Sequence, residues 1–383
     1  MNEEKFRIGI SGSYGGMNMG DEAILESMVS QLRKSLPNLS ITIFSRNPMD
    51  TIERHNVDRA VAVRKMTRQE LAAEIKELDL FILGGGGLLF HTEARIYMRE
   101  VVLAKELGVP VMVYAISVGP VHDSAEQDMI REGLNKVDVL TVRERAAKRL
   151  LEDWGVTKDI IVTADAALLL EPKEISREVV QREGLDDTKT VIGISVREPG
   201  PASDLGIESY YSYIANAADY MVERFDAHIV FVPMERHVLD LQHSHMVLSK
   251  MLNAEQASVL KGEYSPAQML SIVKNFVFGV GMRLHFLIFL ALAGVPFVAL
   301  PYASKVEGFL ESLQIELPPQ YLNPGRLIAY IDKFWDHRED LKRQICTKLP
   351  NLQKKAAETN DLVVQSLLNQ RRKETRAAVD KAA

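Results

Sequence analysis

The sequence predicts an α/β protein made of two Rossmann-like domains, with a helical segment at its C-terminal end. Three observations carry this. Short apolar runs alternate with amphipathic helical stretches, a charged stretch interrupts the pattern near the middle, and 383 residues suit two domains at roughly 100–200 residues each. Strands alternating with helices imply right-handed crossovers and a mostly parallel sheet covered on both faces.

Taken in order, RIGISGS (7–13) reads as a strand, Asp21 to Leu36 as a helix, SITIFSR (40–46) as a strand, Arg68 to Leu78 as a helix and DLFILGG (79–85) as a strand. VPVMVYAISVG (109–119) and VDVLTVRE (137–144) continue the series, and IIVTADAALL (160–169) closes it. The stretch EPKEISREVVQREGLDDTKT (171–190) loses the apolar periodicity and carries no core strand. The first domain is therefore set at 1–172. TVIGISVRE (190–198) restarts the pattern, followed by a helix over Tyr210 to Phe225, the strand HIVFVPM (228–234), a helix over His243 to Leu252, and the strands FVFGVGM (276–282) and PFVALPY (296–302). These form the second domain, 190–322. Residues 323–383 are helical and polar, and the last dozen lack an apolar face, so they are expected to be disordered. Two such domains facing each other make a cleft lined by the carboxyl ends of strands.

Composition narrows the class. An apolar fraction of 46% and a charged fraction of 26% are those of an ordinary globular protein. Lys plus Arg total 46 against 52 for Asp plus Glu, so 46 − 52 = −6, which argues against nucleic acid as a partner. The single cysteine, Cys346, builds neither an internal disulfide nor a thiolate cage, which suits a reducing compartment, the cytoplasm. MNEEKFRIGI lacks the basic flank and apolar stretch of a signal peptide. Phe286 to Leu300 is interrupted by Gly294 and Pro296 and is too short to span a bilayer.

The candidate site residues sit at strand-to-helix junctions. Between the first strand and first helix lies a glycine-rich turn that includes Gly15, Gly16, Asn18 and Asp21. Glycines there admit close approach of a ligand to backbone, and the helix start favours anions; equally, the turn is a tight connection with Asp21 or Glu22 complementing the helix dipole. It is neither a P-loop nor a clean GxGxxG. Gly84 to Gly87 follow the strand DLFIL. Four such residues cost roughly 0.5–1 kcal/mol each relative to alanine in regular structure, which points to Gly85 and Gly86 serving a ligand at a strand end. Arg143 and Arg197 each end an apolar run as V-R-E. Either can clamp a carboxylate or phosphate, or pair with its neighbouring acid. Arg283 and His285 lie between a glycine turn and an apolar helix, where backbone N–H groups favour an anion. Lys305 follows the next strand and reaches for the same anion or is a solvated loop residue. His237, His243 and His245 fit no familiar zinc spacing and read as surface or acceptor-side residues, so no metal site is expected.

With these residues in view, the chain resembles the polysaccharide pyruvyl transferases. The shared features are Gly12 with the N-x-G-D-E-A-I run from Asn18 to Ile24, the GGGG-L segment, the V-R-E turns, GMRLH at 281–285 and the P-Y-x-x-K turn at 301–305. The resemblance spans residues 8 to about 310. It implies a two-domain fold like that of GT-B glycosyltransferases, with a C-terminal helix crossing back to the first domain. It also implies phosphoenolpyruvate as co-substrate with no further cofactor, and a sugar acceptor, lipid-linked or nucleotide-linked. Carried over by motif, Arg143, Arg283, His285 and Lys305 form the donor-binding and catalytic group, with Arg197 in a turn like that of Arg143. A ketal forms when the methylene of phosphoenolpyruvate is protonated and two hydroxyls add at C2 with loss of phosphate. Histidine suits the acid and base steps, because an imidazole titrates near neutrality, and Arg and Lys suit the donor's charges. A nucleotide-sugar glycosyltransferase is the competing reading. A lipid-linked acceptor implies contact with the inner face of the membrane, for which Arg371, Arg372 and Lys373 are the candidates, against a solvated helix end.

Overall fold

A computed structural model describes residues 5–90, 93–185, 188–198, 206–235, 239–300, 304–318 and 323–382. It divides into two compact units, one formed by Met1–Gly16, Asp21–Leu169 and Leu352–Ala383, the other by Met17–Gly20 and Leu170–Asn351. Residues 1–172 are thus not one uninterrupted domain. Four residues of the opening turn belong with the second unit, as does the chain from 323 to Asn351.

The first unit holds strands β1 (Phe6–Ser11), β2 (Leu39–Ser45), β3 (Arg59–Ala62), β4 (Leu80–Leu89), β5 (Val111–Val118), β6 (Val139–Val142) and β7 (Ile160–Val162). Helices α1 (Met19–Ser35), α2 (Pro48–Arg54), α3 (Arg68–Lys76), α4 (Ala94–Glu106), α5 (Ser124–Leu134) and α6 (Arg145–Asp153) connect them. The strands pair in parallel in the order β3-β2-β1-β4-β5-β6-β7. Chain direction across the sheet reverses between β1 and β4, the topological switch point. Strand β5, VMVYAISV, is buried at every position, as expected of a parallel strand covered on both faces. Its Ala115 takes a left-handed φ of 45° at an irregularity in the β5–β6 pairing, where Thr141 Oγ1 accepts from the Ala115 N–H at 2.7 Å and donates to the Val113 carbonyl at 2.9 Å.

Gly84 to Gly87 are not a turn after the strand. They lie inside β4, with Gly84, Gly86 and Gly87 opposite Tyr114, Ile116 and Ser117 of β5. Packing explains two of them. A Cβ on Gly85 would run into Ile24 of α1, and one on Gly84 would come within 2.8 Å of the Tyr14 hydroxyl. The entropic cost of these glycines is offset by the close approach of α1 to the sheet.

The second unit holds β8 (Thr190–Ser195), β9 (Ala227–Phe231), β10 (Ala257–Val259), β11 (Phe278–Gly281) and β12 (Phe297–Ala299), parallel in the order β10-β9-β8-β11-β12. Its helices are α7 (Arg177–Arg182), α8 (Ile207–Phe225), α9 (Asp240–Leu248), α10 (Pro266–Val273), α11 (Leu284–Leu292), α12 (Ser304–Leu313) and α13 (Pro324–Asp336). The apolar run from Phe286 resolves into α11, buried from Phe286 to Ala291, and β12, buried throughout. No helix among the described residues is long and apolar enough to cross a membrane.

The last helix, α14 (Arg338–Ala382), contributes residues to Asn351 to the second unit and residues from Leu352 to the first. The expected disorder of the final residues is not found, for the helix continues to Ala382. Within the first unit the Arg371 guanidinium lies 4.3 Å from the centre of the Phe6 ring, Gln353 Nε2 donates to the Leu168 carbonyl at 3.1 Å, and Asn360 Nδ2 donates to Ser35 Oγ at 2.9 Å.

Candidate active site

In the second unit the carboxyl ends of β9, β8, β11 and β12 are followed by Glu235, Arg197, Arg283 and Lys305 respectively. Strand β11 ends at Gly281, and Arg283 is the N-cap residue of α11 with an extended backbone, φ −80° and ψ 122°. Its guanidinium lies between two acids. Nε donates to Asp240 Oδ2 at 2.9 Å, Nη2 donates to Asp240 Oδ1, and Nη2 also donates to Glu235 Oε2 at 2.9 Å. Asp240 is fully buried at the start of α9, and its Oδ2 further accepts the N–H groups of Met234 and Glu235 at 3.2 Å each. Burial pushes the Asp240 carboxyl above the usual carboxylate range, with Arg283 pulling against it. These acids aim the Arg283 fork and neutralise part of its charge, so it is not the bare cation its motif suggests.

His285 occupies the first turn of α11 and packs on Gly20. A Cβ on Gly20 would overlap the imidazole at Nδ1. Gly20 is fixed in turn, because the Met19 N–H donates to the Met234 carbonyl at 2.8 Å and the Gly20 N–H donates to Asn18 Oδ1 at 3.0 Å. Asn18 also bridges to Glu235, its Nδ2 donating to Glu235 Oε2 at 3.3 Å. Asn18, Glu235, Arg283 and Asp240 thus form one connected chain of polar side chains. Asn18 is expected beside Asp21 in a first-domain loop; its contacts place it in the second unit as a support for Glu235 and Gly20.

Arg197, two residues past β8, donates to Glu198 Oε1. Burial opposes the Glu198 charge, but Arg197 holds the carboxyl below its usual range. His243 is buried, contrary to its reading as a surface residue. The Tyr211 hydroxyl and His243 Nδ1 are 2.6 Å apart, and Nε2 stands 3.5 Å from Glu198 Oε2. Burial lowers the proton affinity of its imidazole, against the pull of Glu198 and Asp240. His245 is exposed on the same helix. Lys305 stands at the start of α12 and is half-buried. His237 and the Pro301–Tyr302 part of the P-Y-x-x-K turn lie outside the described residues, as does the side chain of Lys373.

The first unit separates the remaining candidates. Arg143 is buried, with Nη1 donating to Asp165 Oδ2 at 2.6 Å and Nε to Glu144 Oε2 at 3.1 Å. The Ser117 hydroxyl donates to the other oxygen of Glu144. This places the first V-R-E arginine in an internal ion pair that ties the end of β6 to the segment after β7, so the two V-R-E turns diverge in the fold. Gly15 has φ 73°, its N–H donates to Glu22 Oε1 at 2.9 Å, and a side chain there would meet Ser45 and Asn47. The other Glu22 oxygen, Oε2, is 2.7 Å from buried His55 Nε2. Gly86 has φ 93°, and a Cβ on it would stand 3.2 Å from Asp21 Oδ1. Gly16 alone of this group has room for a side chain, since the atom nearest to a Cβ built on it would be Arg46 Nη1, at 3.5 Å.

Glu100 of α4 is fully buried and accepts the Ser11 hydroxyl at the carboxyl end of β1. Burial raises its carboxyl from 4.5 to about 7, against Ser11, Arg64 and Arg99. The folded chain therefore keeps this proton to about pH 7 while an unfolded chain releases it near 4.5, so this contribution to stability is complete below about pH 4.5 and lost as pH rises through 7. Glu100→Gln accepts from Ser11 without titrating. Urea denaturation from pH 5 to 8 should show the variant gaining on the parent chain by up to about 3 kcal/mol and levelling above pH 7. A constant difference across that range would refute it.

A family model described as polysaccharide pyruvyl transferase matches residues 18–304. The chain belongs to the polysaccharide pyruvyl transferase family. The amylovoran biosynthesis protein AmsJ of Erwinia amylovora is 22% identical over 393 residues, an alignment covering 88% of this chain and 94% of AmsJ. Among solved structures, the UDP-GlcNAc 2-epimerase of Neisseria meningitidis superposes with a TM-score of 0.67 at 14% identity, covering 95% of this chain and 99% of the epimerase. The ADP-heptose LPS heptosyltransferase II of E. coli gives 0.50 at 14% identity, covering 87% and 99%. At that identity these likenesses show the fold, which is GT-B-like, and nothing of the chemistry. In this pyruvyl transferase family member, Glu235 and Asp240 escaped the sequence reading, whereas Glu198 is the neighbouring acid expected to pair with Arg197 and does so. The signal for them was chemical: an arginine at a strand end calls for counter-charges, and P-M-E at 233–235 and Asp240 flank the next strand end.

Proposed function

We propose that the chain transfers a pyruvyl group from phosphoenolpyruvate to two hydroxyls of a sugar acceptor in polysaccharide synthesis, forming a pyruvate ketal and releasing phosphate. The reading is supported by the order of the sheet, in which Arg197 and Arg283–His285 follow the carboxyl ends of the adjacent strands β8 and β11, and Lys305 opens the helix after β12, the next strand, all in one unit. Family membership supports the pyruvyl group, and AmsJ, by its name, acts in amylovoran biosynthesis.

In this scheme His285 delivers a proton to the methylene carbon of phosphoenolpyruvate, which becomes the methyl group and leaves C2 electrophilic. One sugar hydroxyl adds at C2 and its proton returns to His285. The C2–O bond to phosphate then breaks, phosphate departs with the bonding pair, and the second hydroxyl closes the ketal with loss of its proton to the leaving phosphate. Arg283, oriented by Asp240 and Glu235, and Lys305 bind the donor's carboxylate and phosphate, with Arg197 as a further cation. The scheme needs no cofactor. A cytoplasmic setting fits the single cysteine, Cys346.

The direct test is release of phosphate from phosphoenolpyruvate on addition of sugar acceptors, with the pyruvyl carbon labelled. Hydrolysis or transfer of a nucleotide sugar instead, with phosphoenolpyruvate untouched, would assign a glycosyltransferase.

Arg283→Ala has two expected consequences. Donor KM should rise roughly tenfold to a hundredfold, for one lost charge-assisted contact. Stability should fall by about 3–5 kcal/mol, because buried Asp240 loses its counter-ion. Arg283→Lys keeps the charge and loses the fork, so it should recover most of the stability but little of the donor affinity. Thermal unfolding and donor titration of both variants check this, and a lysine variant with unchanged donor KM would remove Arg283 from the donor site.

A further inference from the structure

The carboxyl ends of β1, β2 and β3 carry a second cationic group that the proposed reaction does not use. Arg46 follows directly on β2, and Arg64 lies just past β3. Both guanidinium groups stand against Tyr97 of α4, with Arg64 Cζ 5.2 Å from the ring centre and Arg46 beside the phenol. Arg64 Nη1 is buried and makes no hydrogen bond. A buried guanidinium nitrogen without an acceptor is costly and uncommon in a folded protein. The nearby acids do not complete it. Glu93 is a distant partner of Arg46, at 3.9 Å, and more than half exposed; Asp21 acts on Arg46 through space; Glu100 accepts from Ser11 at one oxygen and acts on Arg64 through space, with no hydrogen bond between them.

The glycine turn nearby presents backbone to Arg46 at one position, Gly16. Gly15 is required by its positive φ and by crowding, and a Cβ on Gly12 would meet the Gly84 carbonyl oxygen at 2.9 Å. Gly16 has neither constraint, and the atom nearest to a Cβ built on it is Arg46 Nη1, at 3.5 Å. The group also adjoins the switch point between β1 and β4, where sheets of this strand order bind the phosphates of their ligands.

We propose that Arg46, Arg64 and the Gly16 backbone form an anion site in the first unit that binds the phosphate or diphosphate ester of the acceptor, so that the sugar is modified while attached to a phosphate-bearing carrier. Two guanidinium forks from adjacent strand ends suit the several oxygens of a phosphate or diphosphate. Only the word acceptor rests on the pyruvyl-transfer reading; the anion site stands without it.

The test titrates inorganic pyrophosphate calorimetrically into the full chain, with phosphoenolpyruvate present to occupy the donor site. Pyrophosphate should bind the parent chain and bind Arg46→Gln/Arg64→Gln at least tenfold more weakly, while phosphoenolpyruvate affinity stays unchanged. Gly16→Ala, whose Cβ would stand no closer than 3.5 Å to any neighbouring atom, should weaken pyrophosphate similarly with little change in melting temperature, which separates a blocked site from a damaged fold. No binding to the parent chain, or equal binding to the double variant, overturns the site. Turnover then decides the ligand. One sugar is offered as a free glycoside, a nucleoside diphosphate and a short prenyl diphosphate, and the diphosphates should have the lower KM, an advantage lost in the double variant. Whichever diphosphate is preferred identifies the carrier. Equal KM for all three overturns the acceptor assignment. If phosphoenolpyruvate is consumed with none of them, the proposed function falls, and the pyrophosphate titration still decides the anion site.

Discussion

His285→Gln should lower turnover by roughly 10²–10⁴, with only a modest change in donor affinity, because general acid catalysis by a positioned side chain typically contributes that much. Glutamine keeps a polar side chain of similar reach on the first turn of α11 but cannot deliver and recover a proton. Single-turnover measurement of phosphate release separates that step from product release, and donor titration reads binding alone. A variant that binds phosphoenolpyruvate poorly yet turns over normally at saturation would make His285 a binding residue. Glu22 could not then take its place, since one oxygen holds the Gly15 N–H and the other meets buried His55. Asp21, at the start of α1 beside Gly86, would be the next acid to test.

Gly20→Ala should be nearly as damaging, although it leaves the histidine itself in the chain. The new methyl would occupy the place of the imidazole, and the backbone is anchored against withdrawal by the Met19 N–H bond to the Met234 carbonyl and the Gly20 N–H bond to Asn18. The ring must move instead. Displacing a catalytic group by about 1 Å can cost on the order of 100-fold in rate, and overpacking of this kind costs about 1–3 kcal/mol in stability. Turnover and melting temperature should both fall. Combining Gly20→Ala with His285→Gln should give a loss close to that of His285→Gln alone, since both remove the same contribution. Fully additive losses would mean that Gly20 acts by a separate route.

What the sequence disclosed follows from how locally each feature is determined. Buried parallel strands such as VMVYAISV announce themselves because every residue meets apolar neighbours, whichever elements supply them. Strands β3 and β10, of four and three residues, do not. They are short and partly exposed at the sheet edges, and their RAVA and ASV have no pattern long enough to read. The glycines of β4 look like a loop in one dimension because the reason for them, Ile24 of α1, is remote in sequence. Arg143 and Arg197 show the limit most clearly. Both follow an apolar strand and precede a glutamate, yet Asp165 buries one in an ion pair and the other stays beside Arg283's acids. Motif and strand position single out Arg283 and His285 as candidates, but the carboxylates that orient Arg283 come from another strand end and another helix. Only the fold brings them together.

The Asn18–Glu235 contact also bears on the order in which this chain can mature during its synthesis. Asn18 leaves the ribosome well before its partner, which is made 217 residues later. Strands β1 to β7 are all available before the second sheet has begun, so the first unit can consolidate most of its core while Met17 to Gly20 still lack their partners. The last step in setting the surroundings of His285 is then the capture of a segment synthesised much earlier, a closure of very long sequence separation and correspondingly slow. A fragment beginning at Leu170 could form the five-stranded sheet and carry Arg283 and His285, yet it would lack the Gly20 surface on which the imidazole rests.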